Sequence, residues 1–139
     1  MPIDNRQYYA IKVIEKIKLI DRNEGIKSTL IEYQVLSQVN RPFLCNLNYA
    51  YMSPERIYFV MPLVKGGQIQ KLMNEKKHLG ISFSEDLVRF YITQVILGLG
   101  KLHKNNIVHR DIKTSNIMVS ENGYIKIIDF GEARILTFG

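Results

Sequence analysis

The sequence predicts an α+β fold in which a strand-rich half precedes a helix-rich half that closes with a β-hairpin. Three observations carry that prediction. Residues 8–14, YYAIKVI, are β-branched and aromatic, the composition of a pleated strand. Ile31, Val35 and Val39 recur every four residues with Leu36 beside them, which marks one face of a helix. Two short apolar runs, 117–119 and 124–128, flank Glu121-Asn122-Gly123, and Asn-Gly is a strong hairpin signal.

The remaining elements follow in order. The periodic stretch sets a helix over residues 28–39, and Pro42 stops it. Residues 47–52 and 56–61 read as short strands around the turn Ser53-Pro54-Glu55. Gly66-Gly67 breaks the chain between its two halves, and a short helix follows over residues 68–76. Ser84 before Glu85-Asp86 is a helix start, because a hydroxyl caps free amides and acids favour the positive end of the dipole. Phe90, Val95, Leu99 and Leu102 place a long helix there, ending near Lys104 and closed by Asn105-Asn106. No internal repeat, low-complexity tract or linker interrupts the order.

Composition narrows the class. A length of 139 residues suits one domain. With 46% hydrophobic and 23% charged residues, the chain is neither disordered nor membrane-like. Charges interrupt every apolar run before it reaches the length of a membrane span. The opening MPIDNRQYYAIK lacks the basic-then-apolar order of a signal peptide. Cys45 is the sole cysteine, so no internal disulfide forms. That fits a reducing compartment and a cytoplasmic, intracellular setting. The net charge is +6, which can serve phosphate binding. Lys16, Lys18, Lys76 and Lys77 lie among acidic and polar neighbours without a continuous basic stripe, so they read as solvated faces. Aromatics do not interleave with the basic residues, so no nucleic-acid partner is expected.

The stretch His109–Asn116, HRDIKTSN, crowds polar side chains between two apolar segments. Asp111 and Asn116 lie five apart, and Asp129 follows thirteen residues after Asn116. A hairpin returns its chain to its start, so Asp129 should land near Asn116. One carboxylate and one amide oxygen then converge, and hard oxygen donors suit Mg²⁺, which borrows phosphate oxygens and water. Asp111 is expected to stand apart from that pair, free to accept a proton from a hydroxyl. Lys113 adds positive charge where a phosphate would sit. These are the parts that phosphoryl transfer requires.

HRDIKTSN followed by IDFG resembles the catalytic loop and metal-binding turn of protein kinases. Tyr9-Ala10-Ile11-Lys12 is similar to the lysine strand of that family, and Glu32 lies twenty residues later on the first helix. The runs STLIEYQVLSQVNRPFLCNL, IYFVMPLVKGGQI and FSEDLVRFYITQVILGLGKLH resemble the cyclic-nucleotide-dependent (AGC-like) group of serine/threonine kinases.

The resemblance implies a partial bilobal kinase fold. Residues 1–61 would be small lobe, 62–67 hinge, and 68–139 a helical large-lobe portion with the catalytic hairpin. It implies ATP and Mg²⁺ as cofactors, and a protein carrying a Ser or Thr acceptor as partner. Lys12, held by Glu32, would meet the α- and β-phosphates. Ala10 and Met118 would sandwich the adenine. Met61 would be the gatekeeper, with Pro62 to Val64 supplying hinge backbone. Asp111 would be the catalytic base, Lys113 would reach the γ-phosphate, and Asn116 and Asp129 would hold the metal. Leu36, Leu47, His109 and Phe130 would stack as a spine between the halves.

Some positions depart from the pattern. Gln68, Thr114 and Ser115 stand where close relatives carry Glu, Pro and Glu, and the resemblance implies that those acids read arginines in basic peptides. Glu132 follows the glycine of DFG in place of a hydrophobic residue. No Gly-rich loop precedes the lysine strand, and the chain ends eight residues after Gly131. The expectation is a central fragment of the domain, weak or inactive by itself. Its lysine strand should be an exposed edge, and the helix around Val95 and Leu99 should bear an uncovered apolar side. The alternative reading is a non-catalytic, nucleotide-binding or scaffolding relative.

Overall fold

A computed structural model describes residues 8–20, 24–38 and 42–137. Within them the chain is α+β. Strand β1 (Tyr9–Glu15) leads into a one-turn helix α1 (Lys16–Ile20), and helix α2 spans Gly25–Gln38. Strands β2 (Tyr49–Met52) and β3 (Arg56–Pro62) follow, then helices α3 (Ile69–His78) and α4 (Glu85–His103). The last part holds β4 (Ile107–Val108), a 3₁₀ turn (Thr114–Asn116), the pair β5 (Ile117–Val119) and β6 (Ile125–Ile127), and β7 (Arg134–Ile135).

Among the described residues, β1, β3 and β2 form one antiparallel sheet in that order, which leaves β1 at its edge, as expected. Side chains alternate across a strand. Ala10 and Lys12 therefore share the inner face, while Ile11 and Val13 are exposed on the other. The register sets Ala10 opposite Met61. Helix α2 covers the inner region with Thr29, Glu32, Val35 and Leu36, which follow helical spacing and are all buried. It begins one turn before the expected start at Ser28 and reaches at least Gln38; Val39, its expected last residue, lies outside the described residues.

The hairpin β5–β6 pairs Ile117 with Ile127, and Gly123 takes φ +82° in its turn. Ser84 caps α4 by accepting from the Leu87 amide at 3.3 Å, with Glu85 and Asp86 in the first turn. The buried face of α4 lies against β6: Gln94 Oε1 accepts the Ile125 amide at 2.9 Å. The opposite face leaves Ile92, Ile96 and Leu97 exposed, the uncovered apolar side expected there. The core joins both halves, since Leu36, Leu44, Phe59, Leu102, Ile125, Ile127 and Phe130 belong to one buried cluster.

Two glycines distinguish close approach from free space. A Cβ on Gly66 would stand 2.4 Å from the Val119 carbonyl oxygen, whereas one on Gly100, inside α4, would meet nothing within 4 Å. Gly66→Ala is expected to lower unfolding free energy by about 1–3 kcal/mol, the usual cost of overpacking. Gly100→Ala is expected to raise it by about 0.5–1 kcal/mol through helix propensity. Urea unfolding of both variants beside the parent checks the contrast, and equal effects would contradict the packing described.

Candidate active site

Lys12 projects from the inner face of β1 toward α2. Its Nζ lies 2.6 Å from Glu32 Oε1 and 3.1 Å from Asp129 Oδ1. Glu32 is 4% exposed, so this is not a solvent-washed surface pair. Burial pulls the Lys12 ammonium down, but Glu32 and then Asp129 outweigh it, and its pKa rises above the ordinary value. Burial pushes the Glu32 carboxyl up against the pull of Lys12. A buried carboxylate of this kind depends on its cation, because an unpaired charge inside a protein is strongly destabilising. Lys12 is thus pinned between a residue from α2 and one from the end of the hairpin.

The hairpin brings Asp129 into place. The Ile128 amide donates to the Asn116 carbonyl at 2.9 Å, continuing the β5–β6 ladder by one pair. Asp129 follows immediately, with φ +61°, a conformation that non-glycine residues adopt at a cost. Arg110 shares that feature with φ +67°.

Asp111 does not stand apart, contrary to the expectation from spacing alone. The 3₁₀ turn Thr114–Asn116 folds the chain back within five residues. Asn116 Nδ2 consequently donates to Asp111 Oδ2 at 2.9 Å and to the Asp111 carbonyl at 3.0 Å. Lys113 Nζ lies 2.7 Å from Asp111 Oδ2. The Lys113 hydrogen bond holds the Asp111 carboxyl below its usual range, and Asp111 in turn raises Lys113.

His109 is 1% exposed and lies against Phe130, with ring centroids 5.1 Å apart. Its Nε2–H donates to the Ile128 carbonyl at 3.2 Å, and its Nδ1 accepts the Asp111 amide at 3.3 Å. A carbonyl only accepts and an amide only donates, so both bonds together specify one neutral tautomer. Leu36 lies in the same core as Phe130, Leu47 packs against it, and the Leu47 amide donates to Leu36 at 2.9 Å.

An apolar cavity of about 290 Å³ opens beside Lys12. Ala10, Met61, Pro62, Val64 and Met118 line it, and Lys12, Glu32 and Asp129 form its charged end. Cys45, Leu63 and Ile128 line it too. Sequence reasoning included Leu63 only within the hinge backbone and gave Cys45 and Ile128 no place at the cavity. Leu63 and Ile128 adjoin residues it had marked, whereas nothing local sets Cys45 apart. Glu132, which spacing left unexplained, holds Arg110: Arg110 Nε donates to the Glu132 carbonyl at 2.7 Å, and the two side chains approach to 3.7 Å. Thr114 hydrogen-bonds through its hydroxyl to the Gln70 side chain on α3.

The donors fit the expected groups. Among the described residues, no cluster of three or more His, Cys, Asp or Glu side chains is arranged for a metal ion. One carboxylate and one amide oxygen, from Asp129 and Asn116, suit an ion that arrives with phosphate oxygens and water. A flat apolar base suits the cavity, and at its charged end the Lys12 ammonium, held between Glu32 and Asp129, is the group suited to phosphate oxygens. Among the described residues, no helix is long and apolar enough to cross a membrane.

The family model described as "Protein kinase domain" matches residues 1–139. The chain is 40% identical over 130 residues to a cAMP-dependent protein kinase catalytic subunit of Schizosaccharomyces pombe, covering 94% of this chain and 24% of that protein. It is 38% identical over 132 residues to a RAC serine/threonine-protein kinase of Drosophila melanogaster, covering 94% and 21%. A RAC family serine/threonine-protein kinase homolog of Dictyostelium discoideum is 36% identical over 129 residues, covering 92% and 28%. The chain therefore spans no more than 28% of the length of these three relatives.

Burial lowers the pKa of His109 below its ordinary value. The unfolded chain then takes up a proton near pH 6.5 that the folded chain refuses, so stability present above about pH 6.5 is lost as pH falls through the folded pKa. The expected slope in that window is at most about 1.4 kcal/mol per pH unit from this group. His109→Phe keeps an aromatic ring on Phe130 and removes the titration. Urea unfolding between pH 5 and 7.5 should show a flatter profile for the variant; an unchanged slope would contradict the neutral buried tautomer.

Proposed function

The chain belongs to the protein kinase family, and on that premise we propose that it encodes ATP-dependent phosphoryl transfer to a serine or threonine hydroxyl of a protein. The observation that supports this reading most is the position of Lys12, bonded to both Glu32 and Asp129 at the charged end of an apolar cavity. In this proposal residues 1–61 act as small lobe, 62–67 as hinge and 68–139 as the large-lobe part. An intracellular setting belongs to the same proposal and draws on the lone, buried Cys45.

Each residue has a physical task. Ala10, Met61 and Met118 exclude water from the base, and the Val64 amide offers a hinge donor. Lys12, kept in place by Glu32, neutralises phosphate oxygens. Asn116 and Asp129 would hold Mg²⁺, which when bound offsets phosphate charge. The 2.9 Å bond from Asn116 orients the Asp111 carboxylate. Asp111 accepts the proton of the acceptor hydroxyl as that oxygen bonds to the γ-phosphorus. The bond from that phosphorus to the bridging oxygen breaks, and its electron pair leaves with ADP. Lys113 turns from Asp111 to the transferring phosphoryl group, which frees the carboxylate to act as base.

A second reading, nucleotide binding without transfer, draws on the same Lys113–Asp111 pair. A carboxylate held below its usual range by an adjacent ammonium is a weak base. Low turnover of this chain by itself is part of the proposal.

Phosphotransfer from Mg-ATP to a generic Ser/Thr peptide, beside binding of a fluorescent ATP analogue, tests both. Asp111→Asn is expected to reduce any transfer by about 10²–10⁴-fold while analogue affinity changes little. Asp129→Ala is expected to abolish Mg-dependent binding and transfer together. Transfer that survives Asp129→Ala would overturn the assignment; binding without any phosphopeptide would establish the second reading.

A further inference from the structure

A groove of about 620 Å³ lies between the C-terminal turn of α3 and the start of α4, away from the cavity beside Lys12. Its floor is apolar and open to solvent: Met73, Ile81 and Val88 are each more than 40% exposed. The charged side chains that line it are Lys76 and Lys77, and no carboxylate lines it. Lys76 is only half-buried and sits over the Phe83 ring, its Nζ 5.7 Å from the centroid. That contact fixes the ammonium at the groove wall instead of leaving it on a freely moving surface stem. Glu85 and Asp86 stand nearby on α4, but Arg89 engages both, at 2.7 and 3.3 Å. The inner end of the groove reaches Gln70, whose side chain bonds Asn74 and also Thr114, three residues past Asp111.

We infer that this groove docks an acidic peptide segment of a partner protein, with apolar side chains on the face turned inward. Carboxylates of that segment meet Lys76 and Lys77, and its apolar side chains cover Met73, Ile81 and Val88. A basic segment would bring like charge against both lysines, of which Lys76 is held at the groove wall, so sign selects the occupant. The bond from Gln70 to Thr114 ends the docked segment beside the loop that carries Asp111. The inference stands apart from phosphoryl transfer, because docking needs no nucleotide.

The test is fluorescence anisotropy with two labelled synthetic helical peptides, Leu at one face of each, and Glu in one or Lys in the other at the remaining positions. The Glu peptide is expected to bind the parent chain saturably and to weaken as NaCl rises, because exposed charge pairs are screened. Lys76→Glu with Lys77→Glu is expected to weaken it by about tenfold or more and to admit the Lys peptide. Met73→Asp, at an exposed position, is expected to weaken it without touching either lysine. Equal binding of both peptides by the parent, retention of the Glu peptide by the charge-reversed variant, or no saturable binding would overturn the inference. No nucleotide is present, so the result is read separately from the transfer assay.

Discussion

The ammonium of Lys12 holds together groups that lie far apart in sequence. It bonds Glu32 twenty positions later and Asp129 one hundred and seventeen positions later. Glu32 is buried, and its carboxylate would be costly without a cation. The lysine therefore constrains β1, α2 and the end of the β5–β6 hairpin together. Two further bonds tie α2 and the residue before it to the segment past Asp129: Ser28 Oγ donates to the Gly131 carbonyl at 3.1 Å, and Arg134 reaches Glu24 at 2.8 Å. The apolar cluster around Leu36 and Phe130 fills the space beneath these polar links. Packing brings the halves into contact, and the ion pairs select which faces meet.

The site divides its charges into two internally bonded sets. Lys12 with Glu32 and Asp129 forms one; Lys113 with Asp111 and Asn116 forms the other. In the first, the lysine lies between two carboxylates that would otherwise repel one another; in the second, it pairs with the single carboxylate of Asp111. In the proposed function, an incoming polyphosphate would compete for both lysines, and a divalent cation would take over the Asp129 carboxylate and Asn116 amide oxygens. Binding would then exchange internal ion pairs for pairs with the bound anion. His109 supports this arrangement from below, because one neutral ring joins the Asp111 amide to the Ile128 carbonyl.

Much of this was legible because it is local. The β-branched and aromatic composition of YYAIKVI gave the strand that carries Lys12, and Asn122-Gly123 returned Asp129 to Asn116 by hairpin geometry. The expected strand boundaries lie within about two residues of those found, a normal margin for element ends. What was missed depends on partners distant in sequence or on turns too short to show a period. Helix α1 is a single turn, and β4 and β7 are two residues each, defined only by pairing with one another. Spacing set Asp111 apart from Asn116, because a 3₁₀ turn of three residues leaves no period in the sequence to show that it would bond them. The Arg110–Glu132 and Gln70–Thr114 links join positions 22 and 44 residues apart, with no pattern in the sequence to announce them.

The most direct measurement of whether Asn116 and Asp129 share a metal-nucleotide beside Lys12 is paramagnetic broadening by Mn²⁺ bound to an ATP analogue, read from backbone and lysine side-chain NMR signals. Signals of Asn116, Asp129 and the Lys12 amine should vanish first, and Asp129→Ala should restore the other two. Broadening centred on another face of the protein, or undiminished by that substitution, would contradict the shared site.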